Sequence, residues 1–182
     1  MSQLKGACVI GQSGGPTSVI NASAYGVIRT ALDCPDITAV YGMAHGIKGM
    51  LNDQLYDMGQ EDAKELELLL NTPSSELGSC RYKLPEIHEN PEIYEKLFEI
   101  MDKLDIETFI YIGGNDSMDT IKKLSDYAIV KGHSQKFLGV PKTIDNDLAL
   151  TDHTPGFGSA AKYIAASTKE IIRDALGLTY NK

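Results

Sequence analysis

The chain has 182 residues, with 17 Lys and Arg against 25 Asp and Glu, for a formal charge of −8. That balance argues against nucleic acid as a partner, because duplex binding needs a basic surface to displace counterions. A composition of 42% hydrophobic and 23% charged residues excludes disorder, and the absence of any run of about 18 apolar residues excludes a spanning helix and a membrane partner.

Residues 7–10 are a short apolar run closed by Gly11-Gln12-Ser13-Gly14-Gly15-Pro16-Thr17-Ser18, which predicts a buried strand, a glycine-rich loop and then a helix over residues 19–32. Ile37 to Tyr41 is β-branched and short, a second strand, and a glycine-containing loop runs on to Met50. A helix is expected over residues 61–70, with Leu66, Leu69 and Leu70 on one side. Asn90-Pro91 predicts a helix start, Asn as the cap and Pro in the first position, with the helix reaching about Leu104. The third strand is expected over residues 108–112, and Ser117 is expected to cap the helix that runs from there to Val130. The fourth strand covers residues 137–140 and stops at Pro141; the last helix covers residues 158–176, with Gly177 as its C′ residue. Leu178-Thr179-Tyr180-Asn181-Lys182 reads as the approach to another strand.

Strands alternating with helices, and strands apolar throughout, predict an α/β fold: a three-layer, doubly wound, mainly parallel sheet covered on both faces. The length fits one domain spanning residues 1–182. Cys8, Cys34 and Cys80 are odd in number and far apart, so free thiols are expected and no zinc knuckle. Residues 1–5 lack signal-peptide organisation, and the expectation is a cytoplasmic protein. His45, His88, His133 and His153 have no metal-ligand spacing and read as structural or solvent-facing.

Three loops carry chemistry, and all fall at the carboxyl ends of predicted strands, where doubly wound sheets bind ligands. In the first, from Gly11 to Ser18, glycines let backbone N–H groups approach an anion and the following helix adds its positive end. It lacks the Lys-Ser/Thr pair of a Walker loop, and a ligand-free tight turn is the competing reading. The second, Gly113-Gly114-Asn115-Asp116-Ser117, is again a phosphate cradle, but with a carboxylate inside it that either caps the helix or selects the ligand. The third is Gly139-Val140-Pro141-Lys142-Thr143-Ile144-Asp145-Asn146-Asp147. Two carboxylates beside a lysine offer a general base, a cation for developing phosphate charge and a magnesium contact. A calcium loop fails there because Leu150 stands where glycine is required, and a solvated Asx turn is the plain alternative.

Gly-Gly-Asn-Asp-Ser, Pro-Lys-Thr-Ile-Asp-Asn-Asp, the stretch Thr151 to Ala160, Gly-Gly-Pro-Thr-Ser-Val-Ile-Asn21 and Gly78-Ser79-Cys80-Arg81 together resemble the phosphofructokinase family, in family order from Ile10 to the last helix. The resemblance implies transfer of a phosphoryl group to the 1-hydroxyl of fructose 6-phosphate, with Mg²⁺, in glycolysis. Asp145 matches the family's proton acceptor, and Thr143 and Asp147 match neighbours that contact sugar or metal-bound phosphate. Gly14 and Arg81 match donor-phosphate contacts, and Gly113, Gly114 and Ser117 the donor cradle. Asn115 stands where aspartate commonly helps to hold the metal.

Asp116 and Lys142 stand where ATP-using members carry glycine, and both replacements resemble the diphosphate-dependent branch. Asp116 would oppose a nucleotide α-phosphate, and Lys142 would supply a cation to the shorter donor. The resemblance therefore implies inorganic diphosphate and fructose 6-phosphate as partners and a homo-oligomeric complete enzyme. An ATP-dependent 6-phosphofructokinase and a non-catalytic anion-binding or oligomerising fragment are the alternatives. Family members continue into a further strand with Met-Gly-Arg and more sugar-phosphate ligands, so the chain alone is expected to be inactive.

Overall fold

The computed structural model describes residues 5–178; the expectations for residues 1–4 and 179–182 lie outside the described residues. Five strands form one sheet in the order β3-β2-β1-β4-β5, with β1 Gly6–Gln12, β2 Ile37–Met43, β3 Leu55–Asp57, β4 Ile106–Gly113 and β5 Lys136–Pro141. All neighbours pair in parallel except β3, which runs antiparallel to β2. Six helices accompany them: α1 Ile20–Asp33, α2 Ile47–Leu51, α3 Ala63–Leu68, α4 Pro91–Lys103, α5 Asn115–Lys131 and α6 Phe157–Gly177.

Side chains of β1 alternate between two cores, as a strand's two-residue period requires. Ala7 and Val9 enter a cluster with Met43, Tyr94, Phe98 and Tyr127, beneath α2, α4 and α5. Cys8 and Ile10 enter the opposite cluster with Ile20, Ala24, Ile28 and Leu66, beneath α1 and α3. The expected three-layer, doubly wound arrangement is thus present around β1 and β4. The expectation that every strand is buried fails at the edges: β5 leaves Leu138 49% exposed, and α6 has no buried residue among those described.

Several boundaries differ from expectation for local reasons. β1 runs two residues into the predicted glycine loop, because Gly11 and Gln12 still pair with Tyr111 and Ile112 of β4. The predicted helix over 61–70 shortens to α3, which begins where the Asp62 carboxylate accepts from the Lys64 N–H at 2.7 Å. Leu66 and Leu69 are buried, but Leu70 lies beyond the helix and is 44% exposed. Asn90 precedes α4 without a side-chain cap, its own N–H already held by the Glu86 carbonyl at 3.3 Å.

Ser117 does not cap α5. Gly114 holds that position, and the Ser117 and Met118 N–H groups donate to its carbonyl at 3.0 and 3.1 Å, which places Ser117 inside the first turn. Nor is Gly177 a C′ residue, since α6 continues through it and the Leu178 N–H donates to the Asp174 carbonyl at 3.2 Å. β3 and α2 were not expected; three and five residues are too short to show a period.

Candidate active site

Strand order reverses at β1: the chain moves from β1 to β2 on one side, and β4 pairs with β1 on the other. The loops leaving β1 and β4 therefore diverge and leave a crevice between them, where such sheets hold ligands. The loop after β5 reaches the same crevice, since the Lys142 N–H donates to the Gly113 carbonyl at 3.0 Å. All three glycine- and aspartate-bearing loops meet there.

Two clefts open on either side of Lys142. One, of about 460 Å³, is lined by Gly14, Arg81, Lys83, Gly114, Asp116 and Lys142, among others. The other, of about 590 Å³, is lined by Thr17, Thr143, Asp145, Ser159 and Tyr163, and again by Lys142. Gly15, Gly114, Asn115 and Lys142 belong to both, so the clefts share one wall.

Lys142 is 6% exposed and its ammonium donates to the Gly15 carbonyl. Burial lowers its pKa below the ordinary lysine value. Gly14 has φ +78°, a conformation that favours glycine, and a Cβ there would lie 3.6 Å from the Lys142 Nζ. Gly113 has no room for a side chain because a Cβ would overlap the Ser117 hydroxyl; Ser117 is 2% exposed and lines the first cleft.

The third loop is braced across its own base. The Thr143 N–H donates to the Pro155 carbonyl at 2.9 Å, and the Thr154 hydroxyl to the Thr143 carbonyl at 2.8 Å. Asn146, at φ +55°, accepts from the Thr154 N–H at 3.0 Å. The Asp145 N–H donates to the Thr143 hydroxyl at 3.1 Å, and its carboxylate is left exposed on the second cleft. Asp147 is exposed and lines neither cleft, unlike the other sequence-predicted residues of this loop.

Buried amides fix the first loop from behind. The Gln12 Nε2 donates to the Asn21 Oδ1 at 2.9 Å and to the Ile20 carbonyl at 3.1 Å. Its Oε1 accepts from the Ser75 hydroxyl and the Leu77 N–H, both at 2.9 Å. Sequence reasoning missed Gln12, whose role depends on partners more than 60 positions away, and it missed Lys83, Thr17 and Tyr163 on the cleft walls.

A phosphofructokinase family model matches residues 7–179. The chain belongs to the phosphofructokinase family. It is 51% identical over 160 residues to the pyrophosphate–fructose 6-phosphate 1-phosphotransferase of Methylococcus capsulatus, covering 87% of this chain and 38% of that protein. The namesake protein of Xanthomonas campestris is 46% identical over 167 residues, 92% of this chain and 40% of its own length. A crystal structure of pyrophosphate-dependent phosphofructokinase from Nitrosospira multiformis superposes with a TM-score of 0.88 at 45% identity, covering 94% of this chain and 42% of that one. The chain thus spans about 40% of the length of these family members.

Against the family's phosphoryl-transfer chemistry, the site has two distinct halves. The first cleft gathers Arg81, Lys83 and Lys142 around glycine backbone; the second presents the carboxylate of Asp145. No group of three or more His, Cys, Asp or Glu side chains clusters among the described residues, so no protein-only metal cage is formed there. Asn115 lies on the shared wall and Asp116 follows it in the first cleft, and side-chain oxygens of this kind are donors that suit a hard divalent cation.

Proposed function

We propose that residues 1–182 form the donor-side domain of a diphosphate–fructose 6-phosphate 1-phosphotransferase, a cytoplasmic, glycolytic and homo-oligomeric enzyme when complete. The observation that carries this reading is Lys142 on the wall between two clefts, with Asp116 on one side and Asp145 on the other. The names of the 51% and 46% identical relatives support the same donor.

In this reading diphosphate occupies the cleft of Gly14, Gly114, Ser117 and Arg81, with the buried Gly113 outside its lining, and the sugar lies beside Thr143 and Asp145; Asp147 lines neither cleft. Asp145 accepts the proton of the 1-hydroxyl as its oxygen bonds to phosphorus; the bridging P–O bond breaks and orthophosphate leaves. Lys142 stabilises the charge on the departing phosphate, worth about 3 kcal/mol for one well-placed donor in a dry site. Asn115 would help to hold a magnesium ion, which would neutralise donor charge. Asp116 rejects nucleotides by placing a carboxylate where an α-phosphate would lie.

Calorimetric titration of the 182-residue chain with magnesium diphosphate and with magnesium ATP tests the donor assignment. Binding of diphosphate and not ATP is expected, with Asp116→Gly combined with Lys142→Gly relaxing the choice. Equal or tighter binding of ATP would overturn it in favour of an ATP-dependent enzyme. Catalysis is expected only from the longer protein; turnover of fructose 6-phosphate by the purified chain would refute that part.

A further inference from the structure

Residues 79–86 have no regular secondary structure and supply Cys80 to Lys83 to the first cleft, yet the segment is fastened at both ends. The Ser79 hydroxyl donates to the Gly14 carbonyl at 2.6 Å. At the other end the Lys123 ammonium donates to the Leu84 carbonyl at 3.0 Å and pairs with Glu86 at 2.8 Å and Asp119 at 2.9 Å. The strap is therefore tied to the loop after β1 and to α5, the two elements that frame the phosphate cradle.

Between these fastenings lie four consecutive residues of the cleft wall, Cys80 to Lys83. Leu84 is 1% exposed, Tyr82 packs against the same core, and Arg81 and Lys83 are exposed on the cleft. Tyr82 lines the cleft as well, so Arg81, Tyr82 and Lys83 together form that wall, held in place by the fully buried Leu84. Neither Arg81 nor Lys83 pairs with an acid among the described residues. The cleft lining holds three cations, Arg81, Lys83 and Lys142, against the single carboxylate of Asp116. Such an excess, in a chain of net charge −8, repels itself until an anion enters.

We propose that Lys83 is a donor-binding residue, forming with Arg81 and Lys142 a three-cation clamp for a compact polyanion of the diphosphate class. The proposal rests on the donor-cleft reading above and adds to it a residue outside the phosphofructokinase motifs. Lysine suits the position as a mobile point charge, so arginine should replace it while an uncharged amide should not.

The test titrates methylene diphosphonate, with Mg²⁺, into the chain and its Lys83→Gln, Lys83→Arg and Lys64→Gln variants. Lys64 lies on α3, exposed and away from the cleft, and controls for net charge. K83Q should weaken binding about tenfold at low ionic strength, as expected for loss of one charge-assisted contact. K83R should stay within about twofold of the parent, K64Q should change nothing, and in 1 M salt, where screening acts within about 3 Å, the K83Q deficit should shrink. Parent-like binding by K83Q, or an equal loss in K64Q, overturns the role of Lys83 while leaving the donor cleft standing. A parent chain that binds no diphosphonate overturns the cleft reading and the clamp with it. Unchanged thermal melting of K83Q confirms that an exposed substitution left the fold intact.

Discussion

The Lys142 ammonium donates to the Gly15 carbonyl, joining the loops after β5 and β1 across 127 positions of sequence. This contact holds the charge at the wall common to both clefts, and it is a contact an incoming phosphate oxygen can replace. Lys142→Met should lower diphosphate affinity about thirtyfold or more, since removing one partner of a buried charged pair costs about 2–5 kcal/mol. Lys142→Arg should recover only part of this, because the planar guanidinium does not fit a point-charge position 6% exposed. Calorimetry on both variants reads the difference, and parent-like binding by K142M would remove Lys142 from the donor site.

Burial also gives Lys142 a pH signature. Its pKa lies below the ordinary 10.5, so on raising the pH it loses its proton earlier than an unperturbed lysine would. The charged form binds the anion; affinity should therefore fall on the alkaline side, beginning below pH 10.5. For stability the sign is opposite: between the folded and unfolded pKa the unfolded chain binds more protons, so the desolvation penalty is relieved as pH rises. K142R should flatten the alkaline limb of binding, because arginine does not titrate there. A limb unchanged in K142R would assign it to another group.

Asp145 is exposed on the second cleft, and the cross-braced loop beneath it is closed by Thr143, Asn146 and Thr154. A proton acceptor acts on the chemical step and not on donor binding. In the full-length enzyme Asp145→Asn should reduce kcat about 10²- to 10⁴-fold, the span for one positioned general base. Diphosphate affinity should be unchanged. Loss of donor affinity with kcat intact would show that Asp145 acts in binding.

What the sequence disclosed, and what it withheld, follows from range. Strand-loop-helix junctions are local, so the glycine pair at Gly113-Gly114 and the Lys142-to-Asp147 run identified the crevice before any tertiary contact was known. Contacts fixed by distant partners were hidden. Ser117 resembles a cap in sequence, but the Gly114 carbonyl starts the helix earlier and Ser117 packs across Gly113. Lys83 is one exposed lysine among many until Lys123 and Ser79 are seen to fasten its segment. Asp147 lies next but one to Asp145, and the turn at Asn146 separates them.

The three cysteines should report on the site directly. Cys8 is fully buried in β1, and desolvation pushes its thiol up to about 12, so it carries almost no thiolate at neutral pH. Cys80 lies on the wall of the first cleft, and Cys34, just beyond α1, is also partly exposed. Iodoacetamide at pH 8 should alkylate Cys80 and Cys34 and spare Cys8, with diphosphate protecting Cys80 alone. Mass spectrometry of digests gives the three rates. Protection of Cys34 equal to that of Cys80 would indicate a global stiffening and not occupancy of the cleft.

Gln12 ties the end of β1 to α1 and to the segment leading into the strap, through bonds to Ile20, Asn21, Ser75 and Leu77. Asn21 extends the network to the Thr72 carbonyl and the Glu76 N–H. Gln12→Leu keeps the volume but leaves the buried Leu77 N–H without its partner, at about 1–3 kcal/mol, and removes one of two bonds each from the Ser75 hydroxyl and the Asn21 Oδ1. A total loss of about 2–4 kcal/mol is expected, since water can rescue the groups nearest the surface. Urea denaturation should show a lower midpoint with an unchanged slope. Because residues 75–77 carry the chain toward Ser79, diphosphonate affinity should fall as well, even where Q12L is fully folded. Thr30→Val, on the exposed part of α1, removes a hydroxyl outside the network and should do neither. A Q12L variant with parent-like stability and binding would show that the first loop is held by its backbone alone.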